Sequence, residues 1–101
     1  MLDLDSLAEK RARSLNQTED QWRKVIWSPS FQKISAHMSD GEVEALIDLC
    51  PSVAHFQNVV GFLEESSSRT GVPPYTVLTD EAQKAGVSPQ DWIARFEGSK
   101  S

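Results

Sequence analysis

Only one cysteine stands among the 101 residues of this chain, so no internal disulfide framework can form. That fits a reducing compartment. Apolar runs of the ~20 residues a membrane-crossing helix needs are also missing. The opening MLDLDSLAEK has early acids and no apolar stretch, and it reads as neither signal peptide nor membrane anchor. A cytoplasmic chain is expected. Lys and Arg are absent from the whole stretch Ser39 to Ser68. The formal charge of −5 is accordingly uneven, with a net of +1 over residues 1–37 and −6 over residues 38–101. This balance argues against broad phosphate contact, which Lys and Arg dominate, but leaves a local basic face open. At 39% hydrophobic and 25% charged, the composition is that of an ordinary globular protein. Its length predicts one domain over residues 1–101.

The segment that lacks bases holds the clearest helical patterns. Ser39 followed by Glu42 is a capping box, and Met38 and Val43 stand at the spacing of a hydrophobic staple. Val43, Leu46, Ile47 and Cys50 then recur as one apolar stripe. Pro51 cannot continue the hydrogen-bond ladder, so a corner is expected at Cys50. A second helix carries Val53, Phe56, Val59, Val60 and Leu63 on one broad face, and the serine run Ser66-Ser67-Ser68 is expected to end it.

Elsewhere the same reading gives shorter pieces. Residues 1–16 predict an amphipathic helix through Leu4, Leu7, Ala8 and Leu15, with Lys10, Arg11 and Arg13 late in it. Asn16-Gln17 breaks it, and Thr18 with Gln21 caps the next helix, which faces Trp22, Val25 and Ile26 inward. Ser28 as cap and Pro29 as first helical residue restart a helix carrying Phe31, Ile34 and Met38. Residues 66–78, SSSRTGVPPYTVL, predict a Ser/Pro-rich loop. Thr79 is then expected to cap a short helix ended by Gly86, and Ser88-Pro89 to open a last one that faces Trp92, Ile93 and Phe96 inward and stops at Gly98.

Glu81-Ala82-Gln83-Lys84-Ala85-Gly86-Val87-Ser88 resembles the first helix and turn of bacterial repressor-type helix-turn-helix units: an alanine, a turn glycine, an apolar residue, then a serine cap. The resemblance covers about a fifth of the chain. It implies a DNA-binding transcriptional regulator that uses residues 79–97, with Ser88, Gln90 and Arg95 on the nucleic acid and the basic N-terminal helix assisting. The pattern departs at Glu81, where the family has an apolar residue. It departs again in the second helix, where Ile93 and Phe96 fall one step out of phase and Arg95 takes an apolar position. Gln90, Asp91, Ala94, Arg95 and Glu97 are a poor set for phosphate or guanine contact. An ordinary helical corner is the favoured reading.

Catalytic and metal chemistry have few candidates. His37, Cys50 and His55 match no zinc spacing. A Cys50–His55 pair across the corner has no identifiable orienting partner, and a cysteine on an apolar stripe is ordinarily buried and unreactive. No catalytic residue, metal or cofactor is assigned, and the protein is expected not to be an enzyme.

Two surface features remain. Asp40, Glu44 and Asp48, spaced four apart, stack along the helix edge opposite its apolar stripe. Each like-charge contact costs about 0.2–0.5 kcal/mol, and the helix dipole offsets about 0.3–1 kcal/mol in the first turn only. A solvated face therefore needs no function to explain it, whereas a docking edge would steer a basic partner. Trp27 lies about 140° around its helix from Trp22, so both cannot face one core. It is either an interface anchor or folded under the Ser28-Pro29 corner.

Taken together, the expected fold is all-α, a compact orthogonal bundle of five or six short helices. The expected function is that of a small protein-binding regulator, of the size and build shared by inhibitors, immunity-type proteins and adaptors of bacteria and their mobile elements. Its contact residues are Trp27, Asp40, Glu44, Asp48, Glu64 and Glu65, and its partner is a protein with a basic surface. Nucleic acid is the less favoured partner and no membrane is involved. Leftover apolar residues on the first helix leave a homo-oligomer open.

Overall fold

The structure, a computed structural model, describes residues 3–96. Among them are seven helices and no strand: α1 Leu4–Ser14, α2 Glu19–Ile26, α3 Pro29–Ser35, α4 Asp40–Leu49, α5 Val53–Thr70, α6 Pro74–Ala85 and α7 Pro89–Arg95. None is long and apolar enough to cross a membrane.

Local chemistry accounts for most of the boundaries. Asp3 caps α1 by accepting from the Ser6 amide and hydroxyl, bonds that hold its carboxyl below the usual value. Asn16, with φ of 57°, turns the chain out of α1 in a left-handed conformation that Asn tolerates better than most residues. At the next corner Ser28 Oγ accepts from the Phe31 amide and donates to the Val25 carbonyl, so a single side chain ties α2 to α3. The Ser39–Glu42 capping box of α4 is complete, with bonds of 3.2 and 3.0 Å. Thr18 is the N-cap of α2 but its side chain accepts no capping bond. Gly98, the expected end of the last helix, and Glu97 lie outside the described residues.

Residues 66–78 differ most from expectation. The helix runs through the serines to Thr70 and ends on Gly71, whose φ of 77° is left-handed. The hydroxyls that were expected to compete with the ladder are satisfied inside it instead. Thr70 Oγ1 donates to the Ser66 carbonyl and Ser68 Oγ to Glu64, while Ser66 itself is buried. Only three residues separate α5 from α6. Pro74 is the first residue of α6, where its preset φ suits a helix and its missing N–H costs nothing. Thr79 therefore sits in mid-helix, where its hydroxyl donates back to the Thr76 carbonyl.

The expected orthogonal arrangement of five or six helices is corrected with it. The 18 residues of α5 span about 27 Å at 1.5 Å each, close to the 32 Å long axis of the molecule. α2, α3, α6 and α7 all pack against α5, while α1 lies on α2 and α4. Every helix contributes to one buried cluster, which includes the predicted stripes of both central helices except Val53, half-buried against it. At its centre Phe56 stacks on Trp22 (5.1 Å between ring centroids) and meets Phe31 edge-on (5.4 Å). Such pairs add about 0.5–1.5 kcal/mol each beyond their buried area.

Candidate functional site

The capping box and the buried Val43, Leu46 and Ile47 fix the orientation of α4, so its other edge faces water. Asp40, Glu44 and Asp48 are all exposed there. Among the described residues, none of the three is in an ion pair. Other acids of the chain are engaged: Glu9 with Arg13, Glu19 with Arg13 and Arg23, and Glu81 with Lys84. Glu42 is occupied by the capping box.

Glu64 and Glu65 do not extend this edge. Both lie on α5, where Glu64 faces Lys33 at 3.5 Å and Glu65 faces Arg69 at 3.7 Å. Each carries a cation beside it, and the potential an approaching basic protein would feel is smaller there than along α4.

Trp27 is 54% exposed, the one large apolar side chain so exposed among the described residues. It is not folded under the Ser28-Pro29 corner. Its indole N–H donates to Asp5 Oδ1 at 2.8 Å, so the ring is held across the N-terminal end of α1. An exposed tryptophan with one fixed edge loses less side-chain freedom when a partner covers it.

The Cys50 thiol and the His55 imidazole make local contacts within the helical frame. Cys50 is fully buried, and its S–H donates to the Leu46 carbonyl at 3.2 Å. Burial pushes its pKa up to about 12 against a smaller opposing effect of the Arg11 charge, so no thiolate forms near neutrality. His55 Nδ1 shares a 2.6 Å hydrogen bond with Ser52 Oγ, the cap of α5, while the Cys50 sulfur bonds to Leu46 instead. Among the described residues no three His, Cys, Asp or Glu side chains gather so as to hold a metal ion.

The α6–α7 corner has the outline of the helix-turn-helix resemblance, with Gly86 at φ 72° and Ser88 capping α7. Its exposed face offers little to a phosphate backbone. Ser88, Gln90 and Arg95 are exposed, but so are Asp80 and Asp91, and Lys84 is paired with Glu81. Trp92 and Phe96 stack on each other at 4.9 Å and lean on Phe62, which sets α7 against α5. At seven residues, α7 is a short element to lay along a major groove.

Sequence reasoning missed two polar clamps. The Arg11 guanidinium crosses from α1 to donate to the Cys50 carbonyl at 2.7 Å, placing a cation at the negative end of the α4 dipole. The side-chain carbonyl of Gln17 accepts from Trp22 Nε1 and from the Val53 amide, joining the first turn of α5 to α2. The Cys50 carbonyl and the Val53 amide lie 39 and 36 positions from the side chains that hold them, and no local pattern announces either contact.

It also missed a groove of about 660 Å³ between α2 and α5, lined by Gln21, Lys24, Val25, Ser28, Gln57 and Gly61 among others. Gly61 sits in the interior of α5, where glycine costs about 1 kcal/mol relative to alanine. A Cβ built there would meet nothing within 4 Å, so nothing inside the molecule requires the glycine. Compared with family models, curated proteins and solved structures, the chain matches none of them.

Proposed function

We propose that this protein is a non-enzymatic, cytoplasmic protein-binding regulator that docks on a basic protein surface through the outer edge of α4, with Trp27 as a separate apolar contact. The observation that carries the reading is the uncompensated charge of Asp40, Glu44 and Asp48 in a chain whose other carboxylates largely find partners. Repulsion along the edge costs the free protein a few tenths of a kcal/mol per contact. A cationic partner turns that cost into attraction and speeds the encounter. The pre-held indole of Trp27 supports the same reading, since tryptophan is enriched among the residues that dominate interface energetics.

A photoreactive residue placed at Glu44, and as a control at Asp80, tests the proposal in the native host. Position 44 should crosslink to a basic protein and position 80 should not. Joint substitution Asp40→Lys, Glu44→Lys and Asp48→Lys should abolish that crosslink while the helical circular dichroism is kept. No crosslink from position 44, or one that survives charge reversal, would remove the acidic edge as the binding face.

A further inference from the structure

The groove between α2 and α5 takes no part in the docking just described. On α5, Gln57 and Gly61 line this groove, and Glu65 follows four residues further along the same ridge of the helix, beyond the notch at Gly61. The flanks of that ridge differ in charge. Lys24, on α2, lines the groove together with Gln57, and Glu65 lines the hollow on the other side of the ridge together with Phe62. Lys24 is exposed and in no ion pair among the described residues. Glu65 has only Arg69, at 3.7 Å, with both side chains mostly in water.

We propose that a second copy of this chain seats in this groove, with the two α5 helices crossing at Gly61 about a two-fold axis. Packing of i, i+4 ridges sets such crossings near about −50° and keeps the two ridges in line. Of the two crossings a two-fold at Gly61 allows, the antiparallel one reverses one ridge on the other, so Gln57 of each copy lies against Glu65 of its mate. The amide donates to the carboxylate, and Lys24 beside Gln57 reaches the same carboxylate. Both contacts occur twice, as a closed dimer requires. The missing Cβ of Gly61 lets the two backbones approach at the axis, which explains a helix-interior glycine that the single chain does not need. A partner helix of strong positive charge fits this groove less well, because Lys24 already stands in it. That distinguishes this face from the α4 edge.

Sedimentation velocity over a wide concentration range tests the proposal on the full chain. The expected result is a reversible monomer–dimer equilibrium that weakens with added salt. A Cβ at position 61 meets no atom of its own chain, so Gly61→Leu should keep the helical signal and melting temperature while leaving only monomer. Lys24→Glu and Glu65→Lys should each weaken association by about tenfold, and the two together should restore it, as a direct pair requires. Reversal of Asp40, Glu44 and Asp48 should leave the dimer unchanged, so failure of the α4 docking and failure of the dimer are read separately. A chain that stays monomeric at millimolar concentration overturns the proposal, as does a dimer indifferent to Gly61→Leu or a charge swap that restores nothing. Crosslinking from position 61 to a different protein, with no self-association, would assign the groove to that protein instead.

Discussion

Cys50 shows how burial alone decides the chemistry of a side chain. Its neighbours on the helix stripe, Leu46 and Ile47, are fully buried with it, and its S–H donates to the Leu46 carbonyl. Desolvation favours the neutral thiol, and the folded pKa rises from 9.0 to about 12. A raised folded pKa contributes stability that is complete below the unfolded value and is lost as pH climbs toward the folded one. Between pH 9.0 and about 12 the folded state should therefore lose up to about 1.4 kcal/mol per pH unit through this thiol. Urea titrations of the wild type and Cys50→Ala across that window check it. The difference between the two curves should steepen with pH only above 9.0, and a parallel pair of curves would show that the thiol is not held neutral. Sequence periodicity foresaw the buried stripe, but the opposing Arg11 charge came from a residue 39 positions away.

At the level of elements, caps explain why this chain makes short helices, and they differ in strength. Ser39 closes a full reciprocal box, whereas Thr18 stands at an N-cap without making its bond. Ser39→Ala should cost about 1 kcal/mol and Thr18→Ala well under half of that. Chemical denaturation of the two single variants measures both, and equal losses would refute the distinction. The same logic explains the loop that proved to be helix. Serine and threonine hydroxyls either divert a backbone or bond within it, and composition does not say which. In residues 66–70 the balance is tipped by burial of Ser66 on the core side and by Gly71 waiting as a left-handed C-cap. The proline pair then starts α6 rather than extending a loop, because Pro74 falls at the first helical position.

For the molecule as a whole, stability rests on the aromatic junction where α2, α3 and α5 meet. Phe56 touches both Trp22 and Phe31 there. Phe56→Ala should cost about 3–5 kcal/mol, a large part of the 5–15 kcal/mol typical of a domain this size. Trp27→Ala, at a ring 54% exposed, should stay within about 0.5 kcal/mol of the wild type. Thermal melts followed by circular dichroism distinguish the two, and a comparable fall in both would place Trp27 in the folding core rather than at a contact surface.

Periodicity, prolines and capping residues in the chain were sufficient for the all-helical class, for the core residues from Trp22 through Leu63, and for the outward set of Asp40, Glu44 and Asp48. Those features depend on neighbours within a turn or two, and local spacing encodes them. Assembly alone decided that Glu64 and Glu65 lie beside cations, that Arg11 and Gln17 clamp distant backbone, that the Trp27 indole rests on Asp5, and that Gly61 opens onto a groove. Each of these is a meeting between segments far apart along the chain. Their distance is set by how seven helices share one core, which no short stretch of sequence carries.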